Sequence, residues 1–398
     1  MPDHPSPTTP ELAVGLVGYA FMGAVHSHAW RTAPRFFDLP LRPRMRAVAG
    51  RDAAAVAQAA SKLGWEESVV GWQDLVARDD VDLVDVCTPG NTHAEIAIAA
   101  LEAGKHVLCE KPLANTVAEA EAMTAAAEKA AANGVLAMVG FTYRRVPAIQ
   151  LARQLVADGR LGEIRQVRAR YLQDWISDPE APLSWRLDAS LAGSGALGDI
   201  GAHIIDLTQF ITGERLTGVV GLTETFVKER PVAEGFSGLS GTGSSTERGP
   251  VTVDDAALFL GRFSSGAIGT FEATRFAWGR KNAIQLEING SKGSLAFDFE
   301  DMNVLQYFDA EEDAVTAGFR RILVTEPQHP YVEAWWPAGH GLGYEHAFTH
   351  QVVDLVRDIA SGTQPTPSFA DGLQVQRVLD AVLRSSAAGS TWLDLPAS

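Results

Sequence analysis

From residue 12 to about residue 140 short apolar runs alternate with longer alanine-rich stretches, and this alternation constrains the fold more than any other feature of the chain. Short apolar runs bounded by turn residues pack as buried strands, and helical stretches between them make parallel crossovers. Strands are expected at Leu12–Gly18, Arg46–Gly50, Leu83–Cys87, His106–Cys109 and Val135–Val139. Helices are expected at Ala53–Leu63, His93–Ala103 and Val117–Ala132, the last two stopped by Gly104 and by Asn133-Gly134. The stretch from Arg35 to Pro43 carries Pro40 and Pro43, which bar it from a central strand, so it reads as an inserted loop.

After Pro147 the period changes. A helix over Ala148–Asp158 leads into period-two stretches at Arg165–Leu172, Ala256–Phe263 and Ala267–Thr274, the pattern of a mostly antiparallel sheet. Ser265-Gly266 and Asn289-Gly290, with Ser291-Lys292-Gly293 beyond, read as hairpin turns. Residues 232–250 are rich in Gly and Ser and read as a plain flexible loop rather than a lid. Helices over Tyr344–Ile359 and Ala370–Ser386 close the chain.

A formal net charge of −16 repels phosphate-rich surfaces, which argues against a nucleic-acid or anionic-membrane binder. An anionic cofactor then needs a local cradle. Cys87 and Cys109 both lie in apolar runs and read as core thiols of a reduced compartment. The first eleven residues lack the basic and apolar blocks of a signal peptide, and no stretch is apolar for long enough to span a bilayer, so a cytoplasmic location is expected. His26 and His28 have no accompanying carboxylate or thiol in the local sequence, so no metal is expected there, and the two read as flanking the pyrophosphate region or facing solvent.

Directly after the first strand, Gly18, Ala20 and Gly23 occupy the three places of a G-x-G-x-x-G dinucleotide fingerprint, the middle one changed. Gly18 permits the tight turn and Gly23 lets the following helix pack on the strand. A helix starting near Phe21 or Met22 offers unpaired N–H groups to a pyrophosphate, which the Ala20 methyl is expected to hold slightly further out. The second strand ends at Gly50-Arg51-Asp52. An arginine there pairs with a 2′-phosphate, so NADP is favoured over NAD; the other reading makes Arg51 a solvated helix-start residue and Asp52 an N-cap.

Three further stretches carry a wider pattern: Cys87-Thr88-Pro89-Gly90-Asn91-Thr92-His93, then Gly104 through Glu110-Lys111-Pro112-Leu113, and Gly198-Asp199-Ile200-Gly201-Ala202-His203-Ile204-Ile205-Asp206. In this order and spacing they resemble the glucose-fructose oxidoreductase/inositol dehydrogenase (Gfo/Idh/MocA) family over nearly the whole chain. Tyr171-Leu172-Gln173-Asp174-Trp175, Pro182-Leu183-Ser184-Trp185-Arg186 and Phe141-Thr142-Tyr143-Arg144-Arg145 are similar to the branch containing levoglucosan dehydrogenase. Gly50-Arg51 departs from it, where an acidic residue is expected.

The resemblance implies an α/β chain with an N-terminal Rossmann-type doubly wound parallel sheet and a C-terminal α+β domain carrying a large, mostly antiparallel sheet. The expected divisions are a flexible arm over residues 1–11, a dinucleotide-binding domain over 12–146 and a substrate-binding and oligomerisation domain over 147–398, whose last helices are free to pack back on the first. It implies an NAD(P)-dependent oxidoreductase moving a hydride between nicotinamide and a hydroxyl carbon of a sugar, anhydrosugar or cyclitol, in a homodimer or homotetramer. The alternatives are an enzyme that recycles a tightly bound cofactor through a transient keto-sugar, and a silent sugar-responsive binding protein.

Oxidising a secondary alcohol needs a proton acceptor and a group that steadies the developing alkoxide. Lys111 follows a strand at the carboxyl edge where such sheets place ligands. Asp199 and His203, four residues apart, project from one helix face; spacing alone leaves them open as a capping Asp and a surface His. The resemblance makes Lys111, Asp199 and His203 catalytic, with a cis bond before Pro112, and makes Asp206 a structural partner. Thr88, Pro89 and Glu110 are then cofactor contacts, and His93 either touches the ribose or begins a helix. Tyr143, Arg144, Gln173, Trp175, Trp185 and Arg186 are the candidate sugar contacts, since indole covers the apolar face of a pyranose and Arg holds hydroxyls; the tryptophans equally suit a core. The segment with His329-Pro330-Tyr331 and Trp335-Trp336 is a candidate wall.

Overall fold

Leu12, Val14 and Leu16 lose their contact with solvent in a strand that begins one residue earlier than expected, β1 (Glu11–Val17). The computed structural model describes residues 9–233, 235–237, 240–242 and 246–396, so most of the expected N-terminal arm, residues 1–8, lies outside the described residues. In chain order follow α1 (Phe21–Phe36), β2 (Arg42–Gly50), α2 (Ala53–Leu63), β3 (Glu67–Val70), α3 (Trp72–Val76), β4 (Leu83–Val86), α4 (His93–Glu102), β5 (His106–Cys109), α5 (Val117–Ala131) and β6 (Ala137–Val139). The six strands pair in parallel in the order β3-β2-β1-β4-β5-β6. The order reverses between β1 and β4, and crevices for ligands open at such a switch point, outside the carboxyl ends of the strands.

Two departures from the sequence reading have physical causes. β3 and α3 were not expected because Glu67-Ser68-Val69-Val70 forms an edge strand with no buried residue, so no apolar run announces it. β2 starts at Arg42 and includes Pro43, which was assigned to a loop. Its pairing with β3 begins only at Ala47, so on that side Pro43 faces no strand and its missing N–H costs no ladder bond.

The chain divides into two compact units. The first comprises the chain up to Leu113, Glu119–Gly140 and Tyr344–Asp371; the second comprises Ala114–Ala118, Phe141–Gly343 and Gly372 onwards. The second continues with α6 (Pro147–Ala157), β7 (Ile164–Leu172), α7 (Ala189–Ala192), α8 (Ala202–Thr212), β8 (Leu216–Glu224), β9 (Glu229–Pro231), β10 (Gly235–Ser237), β11 (Ser240–Thr242), β12 (Arg248–Pro250), β13 (Ala256–Phe263), β14 (Ile268–Thr274), β15 (Ala283–Gly290), β16 (Gly293–Asp298), β17 (Val304–Asp309) and β18 (Arg320–Leu323). The chain ends in α9 (Tyr344–Ser361), α10 (Phe369–Ala387) and β19 (Leu393–Asp394). Helix α9 belongs to the first unit, where Phe348, Val352 and Val353 share a core with Ala29, Trp30 and Ala33 of α1.

Nine strands of the second unit form one sheet, β18-β17-β16-β15-β7-β14-β13-β8-β19, antiparallel throughout except between β7 and β14. Helix α8 packs against β7, while Leu222, Leu258, Leu260 and Ile268 are left exposed along β8, β13 and β14. Two expectations fail here. Asn289-Gly290 ends β15 rather than forming its turn; a bulge at Asn289/Gly290 keeps the pair in the ladder, and Ser291-Lys292 makes the turn into β16. Residues 232–250 are not a plain loop where they are described: β9 pairs with β12 and β10 with β11 as short antiparallel hairpins, while residues 234, 238–239 and 243–245 lie outside the described residues.

Candidate functional site

In the first unit the turn after β1 is shaped for a dinucleotide. Gly18 has φ +94°, and a Cβ there would stand 2.7 Å from the Cys87 carbonyl oxygen; a Cβ on Gly23 would stand 2.1 Å from the Gly18 oxygen. Helix α1 starts at Phe21 with no side-chain cap, so the amides of Phe21, Met22 and Gly23 are left without the partner that a capping residue supplies. Ala20 is the N-cap in extended backbone at φ −71°, a conformation that costs alanine nothing, and it is exposed. The cradle therefore fits a nicotinamide dinucleotide despite the altered fingerprint.

At the end of β2, Asp52 is the N-cap of α2, accepting from the Ala55 amide at 2.7 Å, while Arg51 is exposed. Gly50 is covered by a residue absent from the sequence reading: a Cβ there would lie 2.2 Å from Cε1 of Tyr19. After β4, Thr92 Oγ donates to Thr88 Oγ at 2.7 Å and lies 2.9 Å from the Pro89 carbonyl oxygen. His93 does begin α4. It is buried with Nε2 2.9 Å from the Thr88 oxygen and Nδ1 3.0 Å from the Pro112 oxygen, and burial lowers its pKa, so it ties two crevice loops together.

Lys111 follows β5 and is joined to Pro112 by a cis bond. Its neighbour Glu110, expected at the cofactor, is buried and engaged inward: one carboxylate oxygen accepts from the Lys111 amide at 3.2 Å and the other lies 3.0 Å from Nε2 of His26. His26 itself is buried rather than flanking the pyrophosphate or facing solvent. Carboxylates and a thiol absent from its local sequence, Asp85, Glu110 and Cys87, arrive from β4 and β5. Cys87 and Cys109 are both free and buried, and burial pushes both thiols up.

In the second unit Asp199 lies in a π-helical turn, Leu197–Gly201, that runs into α8 and carries His203 in the first turn beyond. Such turns within helices recur at functional sites. Asp254, a residue the sequence did not single out, anchors the turn by accepting from the Gly195 and Leu197 amides, each at 2.7 Å; burial raises its pKa. Behind Asp199 stands the fully buried Arg275, with Nη1 3.5 Å from the carboxylate, Nη2 donating to the Asp254 carbonyl at 3.3 Å, and the guanidinium 5.4 Å from the Trp175 ring centroid.

His203 is 7% exposed and walled by Phe141, Tyr143 and Tyr171, with centroids 6.1, 4.6 and 5.8 Å away. A polar chain leads from this wall: Tyr143 and Tyr171 hydroxyls 3.1 Å apart, Tyr171 donating to Asn282 at 2.6 Å, Gln173 donating to the same Asn282 oxygen at 2.8 Å, and Trp175 donating to Gln173 at 3.0 Å. Gln173 and Trp175, both candidate sugar contacts, are thus hydrogen-bonded to each other. Tyr171 and Asn282 are additions, and their positions 111 residues apart explain why no local motif reveals the pair. Arg186 stacks over Trp185 at 4.4 Å, with both partly exposed; burial lowers the arginine's pKa and nearby Asp199 opposes that.

Arg144, a candidate sugar contact, has a protein partner. It is buried, bidentate to Asp206 at 2.8 and 2.5 Å, and lies over Phe210 at 4.9 Å, so its charge is spent on holding α8. Asp206 is the structural partner expected. In the 329–336 segment Trp335 is buried and Trp336 exposed.

Comparison with known proteins agrees with both halves of this geometry. Residues 12–141 match the model of an oxidoreductase family with an NAD-binding Rossmann fold, and residues 149–296 match the GFO/IDH/MocA C-terminal domain. Levoglucosan dehydrogenase of Pseudarthrobacter phenanthrenivorans is 43% identical over 97% of this chain and 98% of its own length. The crystal structure of an oxidoreductase domain protein from Kribbella flavida is 72% identical with a TM-score of 0.94 over 97% of this chain and all of the other. Levoglucosan dehydrogenase in complex with NADH and levoglucosan is 42% identical with a TM-score of 0.91, again over 97% of this chain and all of the other. With a nucleotide cradle in one unit, the Asp199–His203 turn in the other, and a family model on each, the chain belongs to the Gfo/Idh/MocA family of NAD-binding oxidoreductases.

Proposed function

We propose that this oxidoreductase is a dehydrogenase for the secondary hydroxyl of an anhydrosugar, sugar or cyclitol, with levoglucosan as the first substrate to test. The observation that carries this is His203, nearly closed off by three aromatic rings with Asp199 one turn earlier and more exposed at 28%. The amides of Phe21, Met22 and Gly23 would hold the cofactor's pyrophosphate, with Gly18, Ala20, Thr88 and Pro89 around it. When bound, the nicotinamide supplies the two-electron acceptor for the hydride.

In this reading His203 takes the hydroxyl proton, imidazole being the side chain whose ordinary pKa lies nearest neutrality. Asp199, fixed by Arg275 and by the anchored turn, accepts from a neighbouring hydroxyl. Lys111 donates to the oxygen that gains charge. Gln173, Trp175, Trp185 and Arg186 provide the sugar-facing donors and indoles, and Tyr143 lines the His203 wall. The roles of Glu110, His93 and Arg144 are supporting ones.

We further propose NADP as the tighter dinucleotide, because Arg51 stands exposed where β2 ends and no acid occupies Gly50. The apolar band of Leu222, Leu258 and Leu260 lines a cavity of about 710 Å3 on the sheet face, and a second copy of the chain is the proposed cover in a dimer or tetramer. The buried free thiols suit the reducing cytoplasm. Among the described residues no helix is long and apolar enough to cross a membrane.

A panel of anhydrosugars, sugars and cyclitols assayed with NAD and with NADP tests the reading. Turnover of levoglucosan or a related polyol that disappears in His203→Ala supports it. Nucleotide binding without absorbance change on any panel member would overturn it in favour of a silent binding protein.

A further inference from the structure

The first unit holds a buried ionic cluster that hydride transfer does not use directly. His26, on α1, is 1% exposed, and each of its ring nitrogens faces a carboxylate: Nδ1 lies 2.9 and 3.0 Å from the two oxygens of Asp85, and Nε2 lies 3.0 Å from Oε1 of Glu110. Trp30 Nε1 donates to Asp85 at 2.7 Å, the Cys87 thiol approaches the same carboxylate at 3.5 Å, and Phe348 of α9 covers the imidazole at 5.5 Å. A neutral imidazole carries one N–H and would set a lone pair against one of the two acids. Burial works against the charged ring, and the facing Asp85 and Cys87 outweigh it, leaving the His26 pKa raised. Of the two facing acids, Asp85 is the one that raises it, by its charge and its hydrogen bond. The three groups close with one acid on each ring nitrogen of His26.

The second oxygen of Glu110 accepts the Lys111 amide at 3.2 Å, so the cluster ends on the peptide that launches the Lys111 side chain. Its other end is α1, the helix whose first turn forms the nucleotide cradle. We propose that His26 is a positioning residue which, through Glu110, fixes the Lys111 backbone relative to the nucleotide-binding helix. The proposal rests on the reading of Lys111 as a catalytic group. Glu110 accordingly acts on the reaction from inside the fold and does not touch the cofactor.

The test uses the full chain with levoglucosan and NAD for turnover, NADH titration calorimetry for cofactor binding, and thermal unfolding as a control for folding. A small misplacement of a catalytic group costs up to about 100-fold, so His26→Ala and Glu110→Ala are each expected to lower kcat by roughly 10- to 100-fold with NADH affinity nearly unchanged. Because the two residues act through one path, the double variant is expected to fall no further than either alone. Glu110→Gln keeps the shape: its oxygen accepts the Lys111 amide and its NH2 donates to a neutral His26, so kcat is expected to recover to within about threefold of the parent.

A folded His26→Ala with parental kcat, or a Glu110→Gln as impaired as Glu110→Ala, would overturn the proposal. If His26→Ala does not fold, the Glu110 pair decides. Lys111→Ala separates the two readings: turnover retained there removes Lys111 from the mechanism, whereas turnover lost there but retained in His26→Ala removes only the clamp. Independently of activity, nitrogen-15 histidine spectra of the parent at neutral pH should show two ring N–H signals that vanish in His26→Ala. A His26 spectrum that does not change in Glu110→Gln overturns the proposal.

Discussion

The two units bury charge in different ways. In the first, His26 sits between Asp85 and Glu110 with both ring nitrogens answered, and Asp85 takes further bonds from Trp30 and Cys87. In the second, Arg275 is as deeply buried, yet its Nε and Nη1 have no hydrogen-bond partner among the described residues, and Nη1 stands only at ion-pair range from Asp199. A satisfied network fixes geometry, because any displacement exposes an unpaired charge. An incompletely satisfied one holds a carboxylate in place while keeping donor capacity beside it. The cluster in the nucleotide unit is thus built to hold one arrangement, whereas the Arg275 site leaves guanidinium nitrogens unanswered among the described residues.

Breaking the reactive end of the open region should have the largest effect. His203→Ala is expected to reduce turnover by roughly 10²- to 10⁴-fold, the usual size of a general-base contribution, with NADH affinity retained in a calorimetric titration. Unchanged turnover would remove His203 from proton transfer.

The closed pair inside the second unit comes next. Arg144→Ala removes the bidentate guanidinium from buried Asp206 and is expected to destabilise the fold by about 3–5 kcal/mol, read as a lowered midpoint in denaturant. A shift below about 1 kcal/mol would match a solvated pair and contradict the burial.

Arg275→Met sharpens the contrast. It removes the cation behind Asp199 while keeping most of the volume, and kcat/KM for the best sugar is expected to fall by about tenfold, the size of one charge-assisted interaction. A loss confined to stability would class Arg275 with Arg144. On the other unit, Arg51→Ala is expected to weaken NADP by roughly the same factor and NAD hardly at all, by paired titrations. Equal weakening of both would dismiss the 2′-phosphate role.

Lys281→Ala should have the smallest effect. Its ammonium is exposed but holds Asp174 below the usual carboxylate range through a hydrogen bond at 2.7 Å. A carboxylate with a lowered folded pKa adds stability above its unfolded value and loses it as pH falls through the folded one. The variant should therefore lose about 1 kcal/mol or less near neutral pH, and the difference from the parent should vanish on acidification.

Legibility in the sequence followed the range of the interactions. The βα turn at Gly18 was readable because strand, glycine and helix start are contiguous, and Ala20 is tolerated because its backbone is ordinary. The spacing of Asp199 and His203 placed them on one helix face, while their proposed role came from the family resemblance. The Arg144–Asp206 pair was not readable, since the two lie 62 residues apart and only folding brings them together. Pro43 misled for a related reason: whether a proline breaks a strand depends on whether a neighbour lies on its N–H side, and β3 stops short of it.

By itself the sequence determined the parallel α/β unit, the mostly antiparallel sheet that follows and the nucleotide-binding turn, while its family resemblance proposed Lys111, Asp199 and His203. These are recorded as periodicity or as short contiguous motifs whose chemistry is local. Only the tertiary structure decided that Glu110 turns inward to His26, that Tyr19 covers Gly50, that Asn282 joins Tyr171 to Gln173, and that Asp254 and Arg275 stand behind Asp199. Each of those depends on burial and on partners remote in the chain, and the worth of a polar side chain changes with both.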